Sequence, residues 1–325
     1  MCALLNPHLS SKDVEQVPTR NGYGDGLLEL GVKDPRVVVL TGDLSESTRV
    51  NGFQKKFPER FIECGVAEQN MMGIAAGLAL SGKIPFVSSY AVFVPGRAWD
   101  QLRVSVCYSN ANVKVAGAHA GISVGPDGAT HQALEDLATV RVLPNLTVVA
   151  PCDYLETKKA TIAIGTVKGP AYLRFSREKT PIITRAASPF RIGRHEIFEP
   201  GKDVTIAACG PLIYEAMLAA RDLRKYQIHA EVINCHTLKP FDHQTLIKSV
   251  KKTGCCVTVE EHQMIGGLYG AVSETLGQHF PVPIEPVGMP DSFGESGEPR
   301  ELLEKYHMTA FDIVLAAKKA IRRKR

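Results

Sequence analysis

No two cysteines of this chain stand at CxxC spacing, and the adjacent Cys255–Cys256 pair cannot build a metal knot alone. The eight cysteines are scattered, which reads as reduced, mostly buried thiols in a cytosolic protein. No apolar run reaches the ~20 residues that a membrane span needs, so no membrane partner is expected. The first stretch, MCALLNPHLSSKDVEQ, has no charged start followed by an apolar core; it reads as a polar leader over 1–17 and not as a signal peptide. Neither sign of charge dominates: 38 Lys and Arg against 34 Asp and Glu leave +4, which argues against a nucleic-acid partner. The one basic cluster, KKAIRRKR, reads as a solvated helix end whose cations complement the dipole. Repeats of solenoid length and low-complexity tracts are absent.

A usable phosphate loop is missing too. GLALSGKI (Gly77–Ile84) has Ile84 where a hydroxyl should hold magnesium, and it runs from helix to strand, the reverse of a phosphate cradle. GYGDG (Gly22–Gly26) lacks dinucleotide-loop spacing and precedes a strand. Gly24-Asp25-Gly26 with Asn51 resembles the magnesium motif of thiamine-diphosphate enzymes. That motif needs its Asp at a strand end with the carboxylate free, whereas this triplet sits at the start of an expected helix. No metal site is therefore assigned to this chain.

What is present is an alternation. TRNGYGDGLLELGVKD reads as a helix, RVVVLTGD and RFIECG as strands, and GVAEQNMMGIAAGLALSG as a close-packed helix. KIPFVSSYAVF, NVKVAGAHAG, LTVVAPCD and AYLRFSR follow as strands, separated by the helices GRAWDQLRVSVCYS, HQALEDLATVRVL and YLETKKATIAIG. Short β-branched runs alternating with amphipathic segments mean α/β architecture, a mostly parallel sheet flanked by helices. The segment 178–202 breaks the rhythm and reads as a linker with an edge hairpin. A second, smaller α/β alternation then runs from DVTIAACG to PIEPVGM, with HAEVINCHTLKP among its strands. The expected boundaries are 1–17 leader, 18–184 first domain, 185–202 linker and 203–325 second domain.

Polar residues gather after strands, where open parallel sheets place their sites. LTGDLSEST offers Asp43 and Ser47, LRFSRE offers Arg174 and Arg177, and a glycine-rich loop, GAHAGISVGPDGATHQALED, offers His119, Asp127 and His131. Two histidines and an Asp on one loop, with glycines allowing close approach of a ligand, favour chemistry over capping. Glu68 opens a helix directly after the RFIECG strand. A helix N-terminus favours its anion while burial favours the protonated acid; a capping role is the alternative.

Together, TGDLSEST, GVAEQNMMGIAAGLALSG, VSSYAVFVPGRAWDQ, GPDGATHQALED and PNLTVVAPCD resemble the transketolase family, joined in the second domain by LKPFD, EEH, GGLYGAV and DSFGESG. The resemblance covers nearly all of 18–318 and is to the C-terminal half: a pyrimidine-binding domain followed by a transketolase C-terminal domain. It implies that Glu68 hydrogen-bonds N1′ of thiamine diphosphate and favours the tautomer that removes the thiazolium C2 proton. It implies Tyr90 and Phe93 against the pyrimidine ring, Asp43 near the cofactor, and His131 beside the substrate carbonyl. His119 and Asp127 would contact the sugar, with His119 also counted among the catalytic groups. Arg20, Ser47 and Arg177 would bind its phosphate, a role that suits the paired donors of Arg. Gly96 departs from the family, falling where many members carry a third aromatic residue.

The resemblance further implies a cytoplasmic, split transketolase of the pentose phosphate pathway, acting on sugar phosphates. The diphosphate and magnesium would sit mainly on an N-terminal partner subunit. Self-association through both domains would complete a heterotetramer. A 2-oxoacid dehydrogenase β subunit shares the two-domain layout, but does not usually carry DGATHQ with phosphate-type Arg and Ser residues. A non-catalytic assembly subunit is the remaining alternative.

Overall fold

The computed structural model describes residues 4–9, 11 and 13–324; the start of the leader, Cys2 and the final Arg325 lie outside the described residues. Strands are β1 (Gln16–Pro18), β2 (Val37–Thr41), β3 (Phe61–Glu63), β4 (Ile84–Tyr90), β5 (Lys114–Ala118), β6 (Thr147–Val149), β7 (Ala171–Arg174) and β8 (Lys179–Pro181). They continue as β9 (Glu196–Glu199), β10 (Val204–Ala208), β11 (Ala230–Asn234), β12 (Thr237–Lys239), β13 (Cys256–Gln263) and β14 (Ile284–Met289).

Two larger sheets carry the fold. One has the order β12-β6-β7-β5-β4-β2-β3 and is parallel except for β12; the other runs β14-β13-β10-β11-β9 and is parallel except for β9. Both faces of the first sheet are covered, and β2 shows why its sequence is an unbroken apolar run. Val38 and Leu40 join a core on one face while Val37 and Val39 join a core on the other. The first of those cores does not stop at the domain boundary. It includes Leu143 and Val148 together with Ala207, Ile233, Leu246 and Leu268 of the second domain.

The α/β expectation holds in both domains, with local differences. Residues 178–202 form no hairpin. β8 pairs with β1, tying the leader's end to the linker, and β9 pairs with β11 at the edge of the second sheet. HAEVINCHTLKP is not one strand. β11 belongs to the second sheet, but β12 turns away and pairs antiparallel with β6 of the first. The helix expected from His131 begins only at Asp136, because Gln132 spends its amide on the Ile122 and Glu295 carbonyls, outside any helical turn. After Trp99 the expected helix winds as a π-helix over Leu102–Tyr108. The basic terminus ends the helix Ala310–Arg322 as expected, with Lys319 and Arg323 largely exposed while both pair with Glu285. All seven described cysteines are free, and six of them are buried. No described helix is long and apolar enough to cross a membrane.

Candidate active site

Five adjacent parallel strands, β7-β5-β4-β2-β3, end on one rim of the first sheet. Every candidate residue except Arg20 follows one of these carboxyl ends: Arg177 after β7, His119 to His131 after β5, Tyr90 and Phe93 at β4, Asp43 and Ser47 after β2, Glu68 after β3. Arg20 enters from the first turn of the helix Thr19–Lys33. Parallel topology thus gathers residues distant in sequence, because each strand delivers its following loop to the same edge.

His119 is the centre of the cluster. Its ring stacks on Tyr90 with centroids 4.2 Å apart, and its φ of 53° is left-handed. For an L residue that conformation costs about 1–2 kcal/mol; the stacking and a hydrogen bond from Nε2 to the Ser47 carbonyl at 3.2 Å hold it there. The same carbonyl accepts from Arg20 Nη1 at 3.1 Å. Arg20 Nη1 also lies 3.4 Å from Nε2 itself; the Ser47 carbonyl calls for a proton on that nitrogen, whereas Arg20, a donor only, calls for a lone pair there. Burial, then the Arg20 charge, push the His119 pKa down to about 3, so the ring is neutral at any working pH. His119 Nδ1 and Arg20 Nε are both buried without a protein partner. Leaving such atoms unpaired is costly, and a polar ligand or a water would satisfy these two.

His131 meets the edges of Tyr90 and Phe93, at 6.0 and 5.4 Å between centroids, and its Nδ1 pairs with Thr130 Oγ1 at 2.9 Å. Arg177 bonds Asp127 at 3.1 Å and the Val124 carbonyl at 3.1 Å. The Arg20 pKa is lowered by burial and then by the fields of Arg49 and Arg177, so three guanidinium groups share this corner. Arg49 was not singled out from the sequence. It is exposed, with a φ of 65°, and bonds Asn21.

Glu68 is buried at the first position of the helix Glu68–Leu80, beside a surface cavity of about 540 Å³ lined by Val66–Asn70 and Arg97. Its carboxylate pairs with Arg97 at 3.0 Å, and the Arg97 guanidinium lies 4.0 Å from the Phe93 ring centroid. Phe93 stacks on Tyr90 at 5.7 Å, so Glu68 connects to the His119 cluster through Arg97 and two aromatic rings. Arg97 also escaped sequence reading; the available signal was a cation four residues after Phe93. Gly96 explains the missing third aromatic residue, because a Cβ there would fall on the Val92 carbonyl oxygen. Asp43 is exposed, and its N–H bonds Glu63 at 2.8 Å.

Asp25 of the GDG triplet lies inside the helix Thr19–Lys33 and accepts from Tyr154 Oη at 2.6 Å. With Arg49 and Asn51 it borders a separate cavity of about 410 Å³. No group of three His, Cys, Asp or Glu side chains among the described residues is arranged for a metal ion. Arg174 has a structural place: it is buried against Asp136 at 2.9 Å, under the loop and not in its opening.

Residues 15–182 match the family described as transketolase, pyrimidine binding domain, and residues 193–313 match transketolase, C-terminal domain. A 6-deoxy-6-sulfo-D-fructose transketolase subunit from Clostridium sp. (strain MSTE9) is 43% identical over 94% of this chain and 95% of its own length. A subunit of the apulose-4-phosphate transketolase from Phocaeicola vulgatus is 37% identical over 89% of this chain and 93% of its own. A solved structure titled split gene transketolase, inactive beta4 tetramer, superimposes with a TM-score of 0.88 at 45% identity, over 96% of this chain and all of that one. The chain spans only 48% of human transketolase. With both family domains in order, and subunits of divided transketolases matched almost end to end, the chain belongs to the thiamine-diphosphate-dependent transketolase family, as its C-terminal half.

Proposed function

We propose that this chain is the C-terminal subunit of a split transketolase, moving a two-carbon ketol unit from a ketose phosphate to an aldose phosphate. A partner chain with the N-terminal domain would hold the diphosphate and magnesium. The observation that carries this reading is the meeting of Arg20, Ser47 and His119 against Tyr90, with Arg177 at the rim and two buried polar atoms left unpaired. A 2-oxoacid dehydrogenase has no need of an oxyanion anchor at that place.

In this reading Glu68, Tyr90 and Phe93 hold the pyrimidine end of thiamine diphosphate. Arg97, a flat cationic nitrogen donor paired with Glu68 and lying over Phe93, supports that reading, because a protonated aminopyrimidine has the same chemical character. When bound, the cofactor supplies the nucleophilic carbon and electron sink that ketol transfer needs. Glu68 holds a proton at the ring nitrogen, and Tyr90 and Phe93 fix the ring plane. His119, neutral, pairs with a sugar hydroxyl at Nδ1, and His131 exchanges a proton with the carbonyl oxygen of the sugar. Arg20, Ser47 and Arg177 hold the far oxyanion, and Asp127 orients Arg177 and a hydroxyl. One relative's name carries a sulfo sugar and another's a phosphate; both groups are tetrahedral oxyanions that an arginine pair can grip.

Co-expression with an N-terminal transketolase subunit, followed by a ketol-transfer assay, tests the reading. Glu68→Gln in that complex should slow cofactor C2 deuterium exchange by ~100-fold or more while assembly survives. An unchanged exchange rate returns Glu68 to a helix cap. Turnover of pyruvate or a branched-chain 2-oxoacid in place of sugars overturns the transketolase assignment.

A further inference from the structure

The loop from His119 to His131 is fastened from the second domain. Glu261, buried in β13, accepts the Ser123 N–H at 2.5 Å. Gly121, at a φ of 91°, lies so close to that carboxylate that any Cβ would fall on it. The backbone carbonyl of Glu261 accepts from Arg174 Nη2 at 2.9 Å, and the same nitrogen reaches the Ala133 carbonyl at 3.1 Å, where the loop ends. Gln132 adds a second fastening through the Glu295 carbonyl at 2.9 Å. The neighbouring carboxylate, Glu260, serves its own domain instead, accepting the Leu268 and Tyr269 N–H groups at 2.6 and 2.8 Å. The two adjacent acids of EEH therefore point to different tasks.

We propose that Glu261 is the positioning residue through which the second domain sets the shape of the sugar-binding loop. It rests on the reading of that loop as the sugar site. Glu261 touches no substrate. It holds the turn Ile122–Asp127 by its backbone, and thereby fixes where His119, Asp127 and His131 present their side chains. A short charge-assisted bond to a buried N–H is strong and directional, which a glycine-rich loop needs because its own residues supply little stiffness.

The test compares Glu261→Ala with Glu261→Gln, which keeps an oxygen to accept the Ser123 N–H. In the isolated full chain, amide hydrogen exchange over 120–131 should quicken ~10-fold or more in the Ala variant and stay near wild type in the Gln variant. In the complex with the N-terminal subunit, Glu261→Ala should raise KM for a sugar phosphate ~10-fold, with cofactor C2 deuterium exchange unchanged and Glu261→Gln within ~3-fold of wild type. Unaltered loop protection in Glu261→Ala overturns the proposal. So does a parallel loss of C2 exchange, or a Gln variant as impaired as the Ala variant. A wild-type complex without ketol transfer refutes the sugar-site reading instead, and the amide-exchange comparison then still decides whether Glu261 holds the loop.

Discussion

Replacing Arg177 by Ala removes one cation of the corner without touching Glu68 or the aromatic rings. Its guanidinium is 30% exposed and already commits Nη1 to Asp127 and the Val124 carbonyl. Its Nε faces Glu178 at 3.6 Å, so Nη2 is the nitrogen left for an oxyanion. A hydrogen bond to a charged group contributes about 1.5–3 kcal/mol, and solvent screening of a partly exposed group places Arg177 toward the lower figure. A second effect acts in the same direction: the substitution leaves Asp127 unpaired, and its carboxylate then faces the incoming dianion. The two together predict a ~10- to 30-fold rise in KM for phosphorylated sugars. The rate with hydroxypyruvate, a donor without the remote anion, should change less than ~2-fold, because only binding to a distant group has been lost. Steady-state kinetics of the reconstituted complex with both donors reads this directly. Equal losses on the two donors, or an unchanged KM for the phosphorylated one, refute the anchor.

Asp136→Ala should cost about 3–5 kcal/mol, since it strands the Arg174 charge in the interior; an unchanged urea midpoint would show that the pair is already relaxed by solvent. His236, fully buried outside the candidate site, has its pKa pushed down to about 3 by burial and then by His195. The folded chain therefore binds fewer protons there than the unfolded chain between about pH 3 and 6.5, and stability falls as pH drops through that window. Wild type should lose about 1.4 kcal/mol more than His236→Asn between about pH 7.5 and 5.5; parallel denaturation curves at the two pH values would contradict that.

Sequence alone carried the α/β architecture and the strand-end position of the candidate residues, because buried parallel strands are near-continuous apolar runs whose ends are followed by polar loops. Glu68 was legible as a carboxylate out of place before an apolar helix, and its burial agrees with that. Arg97 was not, since its contact with Glu68 depends on how the β4 loop folds over the helix Glu68–Leu80. The late start of the helix at Asp136 was hidden for a similar reason: ALED has helical periodicity, but Gln132 bonds groups distant in the fold. The split of HAEVINCHTLKP between two sheets lay beyond local pattern altogether, because both halves have strand composition and only tertiary packing decides which sheet each joins.

That split has a consequence for how this polypeptide can be divided. β12 covers the outer edge of β6, so the second domain supplies the rim strand of the first domain's sheet. A fragment ending near residue 184 would leave β6 with bare N–H and C=O groups and a shared apolar core cut open. Such a piece should precipitate or pair edge to edge with its own copies. The complementary piece would carry β12 with no sheet to join. The two domains of this chain therefore stand or fall together as one folding unit.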